Sequence, residues 1–129
     1  MKKLFILAAT LIAAFSSCKS QNADNSQLPT GYENLNIEEF KAKMSDPGSV
    51  ILDVRTPEET AQGMIEGAVQ LDFRSPDFEA EVDKLDKNKM YLVYCRTGNR
   101  SGKTCALMAK KGFKHFYNLE GGYLDWTKK

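Results

Sequence analysis

Histidine is almost missing from this sequence: His115 stands alone among 129 residues. A Cys–His catalytic pair would have to use it, and a structural zinc site would need nearly every Cys and His in the chain. The expectation is therefore no metal and no other cofactor, with His115 a surface residue. Cysteine is scarce too. Cys18, Cys95 and Cys105 are the three present, an odd number that makes no disulfide framework. No charge is in surplus, with 18 Lys and Arg against 17 Asp and Glu. No basic excess suggests nucleic acid, and there is no acidic tail. The apolar stretch from Leu4 to Phe15 falls short of the roughly 20 residues that cross a bilayer comfortably.

What is present is a regular alternation. "NIEEFKAKM" begins with Asn36 and places Glu39 three residues on, close to a capping box, with Ile37, Phe40 and Met44 on one face. "SVILDVR" (49–55) is β-branched and apolar and ends in charge, as a buried parallel strand does. Thr56 then stands as an N-cap with Pro57 at the first helical position. "GAVQLDF" (67–73) reads as a short strand, and "SPDFEAEVDKL" (75–85) as a helix with Phe78, Val82 and Leu85 inward. "MYLVYC" (90–95) is another buried strand. It is followed by a helix over 99–111 closed by Gly112, a strand over 114–119 and a short helix over 121–128. Strands alternating with helices predict an α/β fold: a three-layer sandwich with a mostly parallel sheet between helices on both faces.

The amino terminus carries an address. Lys2 and Lys3 precede the apolar stretch, and Ser16 and Ser17 lead to Cys18, the order of an export signal. The small pair before cysteine resembles the lipobox of bacterial lipoproteins, with Phe15 where leucine is commonest. That resemblance implies a signal peptide over 1–17, acylated Cys18 as the first mature residue, and a membrane partner held through lipid. An ordinary cleaved signal is the alternative. Either reading predicts an exported, periplasmic or cell-envelope protein. The polar segment over 18–34 lacks apolar periodicity and reads as a tether, leaving 35–129 as the folded domain.

"CRTGNRS" (95–101) is the chemical centre. It lies where a strand gives way to a helix, at the carboxyl end of the sheet, where open α/β folds bind ligands. The first N–H groups of the following helix have no internal partners and point back toward the thiol. Gly98 permits the tight turn. Amides from Arg96 onward can converge on the sulfur, and Arg96 and Arg100 add positive field. A thiol of pKa near 8.5 is about 3% thiolate at pH 7, and a drop of roughly 1.5 units takes about 2 kcal/mol. A helix N-terminus alone supplies up to about 2 kcal/mol, so no histidine base is needed. Cys105, about a turn into the helix on the face of Ser101 and Met108, reads as core packing, with a disulfide to Cys95 as the alternative. Asp53 and Arg55, at the end of the first strand, orient the loop or, more simply, pair with each other.

Four separated segments in order resemble the rhodanese-like sulfurtransferases: "LDVRTPEE" (52–59), "GMIEGAVQLDF" (63–73), "CRTGNRS" and "NLEGGYLDW" (118–126). Met64 and Glu66 stand where that family usually has His and Pro. The resemblance implies sulfane-sulfur transfer through a Cys95 persulfide, from a thiosulfate-like or persulfide donor to a thiol or cyanide acceptor. Arg96, Thr97, Gly98, Asn99, Arg100 and Ser101 would then hold the donor. Cysteine phosphatases and arsenate reductases set an arginine six positions after the cysteine, where this chain has Ser101; the shorter ring suits a single sulfur. A catalytically idle binding module on the same fold is the remaining alternative.

Overall fold

A computed structural model describes residues 31–128. The signal segment, Cys18 and the tether up to residue 30 lie outside the described residues.

The chain alternates strictly. β1 (Glu33–Leu35), α1 (Ile37–Met44), β2 (Ser49–Asp53), α2 (Pro57–Thr60) and β3 (Val69–Gln70) form the first half. α3 (Phe78–Asp83), β4 (Met90–Tyr94), α4 (Asn99–Lys110), β5 (His115–Leu119) and α5 (Gly122–Trp126) form the second. The strands make one parallel sheet in the order β1-β5-β4-β2-β3. Successive side chains on a strand point to opposite faces, and β4 accordingly feeds a core on each side of the sheet. Tyr91, Val93 and Cys95 enter a core with α3 and α4, where Phe78, Val82, Cys105 and Met108 meet them. Leu92 and Tyr94 enter a second core with α1 and α5, where Phe40, Tyr123 and Trp126 meet them. A central strand buried on both faces needs an unbroken apolar run, which "MYLVY" supplies.

Both expected caps form. The Asn36 side chain accepts the Glu39 N–H at 2.9 Å while Glu39 accepts the Asn36 N–H at 3.2 Å. Thr56 and Glu59 make the same reciprocal pair. Each such cap stabilises its helix by about 1 kcal/mol, which matters most for the single turn of α2.

Three elements differ from expectation. The strand β1 takes in Glu33 and Asn34, which the sequence pattern leaves in the tether; its pairing with β5 makes it a strand, not its own periodicity. The segment 67–73 yields only the two paired residues of β3, at the sheet edge, where one side of the ladder is missing. The helix α3 begins at Phe78 rather than 75, and its Asp77 N-cap makes no side-chain bond. His115 is exposed, as expected.

Candidate functional site

The Cys95 thiol, one residue past β4, is fully buried. The chain then turns through Arg96, Thr97 and Gly98 into α4. Gly98 sits at φ 102°, a conformation that a side chain would strain, and this directs its N–H onto Cys95 Sγ at 3.1 Å. From the first turn of α4, the Ser101 hydroxyl donates to the same sulfur at 3.3 Å. Burial pushes the Cys95 thiol up. The Ser101 hydroxyl and the N–H groups of Ser101, Thr97 and Gly98 pull it down, and the net result is a pKa below the ordinary thiol value.

The loop is held from behind by β5 and the turn after it. Asn118 Nδ2 donates to the Gly98 carbonyl at 3.2 Å and to Asn34 Oδ1 at 2.8 Å. It thereby ties Gly98, the residue whose N–H faces the sulfur, to β1. Its own Oδ1 is buried with no partner among the described residues. Tyr123 N–H donates to the Cys95 carbonyl at 2.8 Å and Leu124 N–H to the Arg96 carbonyl at 3.0 Å. A Cβ on Gly122 would fall 2.6 Å from the Cys95 carbonyl oxygen, so only glycine lets the two backbones meet here.

Arg100 is placed differently from expectation. Its guanidinium makes a two-pronged bond to Glu59, Nη1 to Oε2 at 2.8 Å and Nη2 to Oε1 at 2.7 Å. Glu59 Oε2 also accepts the Thr56 N–H at 2.9 Å and the Thr56 hydroxyl at 3.0 Å. The Arg100 guanidinium, with help from Thr56, lowers the Glu59 carboxyl to about 2. The cation thus braces the loop against α2 rather than standing free. Arg96, Thr97 and Asn99 are exposed at the loop surface.

Asp53 and Arg55 pair with each other, the simpler of the two expected readings. Arg55 Nη2 lies 2.7 Å from Asp53 Oδ2, both are buried, and the Arg55 guanidinium also reaches the Gly63 carbonyl at 2.7 Å. The Tyr94 hydroxyl donates to Asp53 and accepts the Ile65 N–H. Stacked 4.1 Å over the Tyr123 ring, Arg55 supports α5, which in turn carries the Cys95 and Arg96 carbonyls. The second thiol, Cys105, lies in the apolar core. Burial drives its pKa far above the ordinary value, and the Cys95 charge adds to that rise.

Two supporting residues escape sequence reasoning: Asn118, and Glu59 in its reach to Arg100. Asn118 sits in the quoted "NLEGGYLDW" segment, but nothing local says its amide faces the loop. Among the described residues no cluster of three or more His, Cys, Asp or Glu could hold a metal.

Comparison with known proteins agrees with this geometry. Residues 36–129 match the family model described as Rhodanese-like domain. A sulfurtransferase of Allochromatium vinosum is 34% identical over 95 residues, covering 73% of this chain and 87% of its own. The crystal structure of a rhodanese-like domain protein from Staphylococcus aureus superposes with a TM-score of 0.66 at 30% identity, over 75% of this chain and 93% of that one. An NAD-dependent persulfide reductase from A. fulgidus has a TM-score of 0.57 at 26% identity, over 74% of this chain and 16% of that one.

Proposed function

The chain belongs to the rhodanese-like domain family, and from that premise we propose that it is a sulfurtransferase working through a Cys95 persulfide. The Cys95 thiolate attacks the outer sulfur of a donor. A sulfur–sulfur bond forms at Sγ, the bond within the donor breaks, and the leaving group departs with its electron pair as sulfite from thiosulfate or as a thiolate from a persulfide. An acceptor nucleophile, cyanide or a thiol, then attacks the outer sulfur and returns Cys95 to thiolate. Each half-reaction exchanges one anionic nucleophile for another, the acceptor reacting as cyanide or as a thiolate, so two half-reactions of ping-pong type suffice and no proton-transferring histidine is required.

The observation that carries this reading is the pair of donors on Sγ, the Gly98 N–H and the Ser101 hydroxyl. In this reading they hold the attacking anion, and the outer sulfur of the persulfide would draw on the loop amides beside them. Intact-mass measurement after donor treatment tests it: Cys95 gains one sulfur (~32 Da), and cyanide removes that mass as thiocyanate. Absence of the adduct with every donor would favour an idle binding module.

The proposal includes export. Lys2, Lys3, the apolar stretch and Cys18 support a lipid-anchored cell-envelope protein. Incorporation of labelled fatty acid, lost on Cys18→Ser, is the expected result.

A further inference from the structure

A groove of about 360 Å³ borders the loop on the side of α2 and α5; Arg55, Glu58, Glu59, Arg96, Tyr123 and Leu124 line it. Its charges cancel. Arg55 is paired with buried Asp53. Glu59 is paired with Arg100. Arg96 and Glu58, both exposed, share the groove. Two guanidinium groups are thus bound to carboxylates, and the Arg96 charge is matched in sign count by that of Glu58 without a direct bond between them. The Glu59–Arg100 pair is also fixed from behind, because Thr56 donates its N–H and hydroxyl to Glu59, so the carboxylate cannot swing away and release the cation. The apolar side of the groove is Tyr123 together with Leu124, which is 41% exposed.

We propose that Glu59 is a specificity-determining residue: by occupying Arg100 it keeps the approach to Cys95 near neutral, so that the site takes a carbon-bearing persulfide of at most one negative charge in preference to a small dianion such as thiosulfate. This rests on the sulfur-transfer reading above. A thiolate and a dianion repel as they meet, and cations left uncommitted at the mouth would offset that repulsion beyond what the loop donors supply. Here Arg100, on the loop itself, is taken by Glu59, and Arg96 shares the groove with the opposite charge of Glu58. A persulfide R–S–SH brings less charge, and its carbon half has Tyr123 and Leu124 to lie against. The transfer balances: Cys95–S⁻ and R–S–SH give Cys95–S–SH and R–S⁻.

The test compares the full chain with Glu59→Gln, using thiosulfate and the persulfide of 2-mercaptoethanol as donors, cyanide as acceptor, and rates normalised to titratable Cys95. Glutamine keeps the acceptor that Thr56 uses and gives up the charge that holds Arg100. The wild type is expected to favour the persulfide. In Glu59→Gln, kcat/KM for thiosulfate should rise about fivefold while that for the persulfide stays within about twofold. A second variant, Glu58→Gln, removes a groove charge without touching the loop and should raise the thiosulfate value about twofold. An equal fall for both donors in Glu59→Gln, or an unchanged ratio in both variants, overturns the proposal and leaves Glu59 a brace. A wild type that takes sulfur onto Cys95 from neither donor overturns the function itself, and this inference with it.

Discussion

Cys95 and Cys105 share one apolar core and neither has any exposed surface, yet their acidities move in opposite directions. Burial pushes both thiols up. The difference is that Cys95 stands before a helix whose first amides have no internal partners, whereas Cys105 is inside that helix, where every neighbouring amide is already bonded along the axis. Depth in the core therefore says little about a thiol's chemistry. The direction of a few N–H groups decides it.

The largest effect that separates the two sites is on turnover. Cys95→Ser should abolish thiocyanate formation, while Cys105→Ser should keep turnover per folded molecule within about twofold and lose stability for its buried hydroxyl. Full activity in Cys95→Ser would erase the distinction.

Next is the support behind the loop. Asn118→Leu removes the donor on the Gly98 carbonyl and fills the space with carbon. The Cys95 pKa, read from the midpoint of alkylation rate against pH, should rise toward the ordinary thiol value, with Cys105 still unlabelled. A midpoint that does not move would mean the loop holds its shape without β5.

A smaller effect lies at Glu59. Its carboxyl is about 2 when folded, below the unfolded value, so its contribution is full above about pH 4.5 and fades as pH falls toward 2. After solvent screening this is worth about 1–2 kcal/mol. Glu59→Gln should flatten that part of the stability-versus-pH curve in urea titrations.

Smallest, and most pointed, is the alkaline behaviour of the thiols. The folded Cys95 pKa lies below the unfolded one, so its contribution grows as pH rises past the folded value and is complete above the unfolded value. The folded Cys105 pKa lies above the unfolded one, so its contribution is complete below the unfolded value and fades as pH climbs. Between about pH 7 and 9.5, the stability cost of Cys95→Ala should grow and that of Cys105→Ala should shrink. Parallel trends would show that the two environments are the same.

The same contrast sorts what could be read from residue order. The capping boxes at Asn36 and Thr56, the apolar run of β4 and the thiol before α4 are local patterns, and each has a local cause. Glu33–Leu35 carries no strand pattern of its own and becomes a strand only because β5 offers an edge. The Arg100–Glu59 bond joins residues 41 apart in sequence, and Asn118 reaches Gly98 across 20. Those pairings depend on which helix lies beside which strand end, and side-chain type alone does not encode that. The sequence pattern singles out the thiol before α4; the parts that surround it come from the tertiary arrangement.

The parallel sheet gives the molecule two poles. All five strands run the same way, so the thiol loop caps one pole. Gly31 lies against Ala109, near the last turn of α4, and the described chain therefore enters at the other. The leading end of the described chain and the Cys95 loop are thus set apart by the full length of the strands.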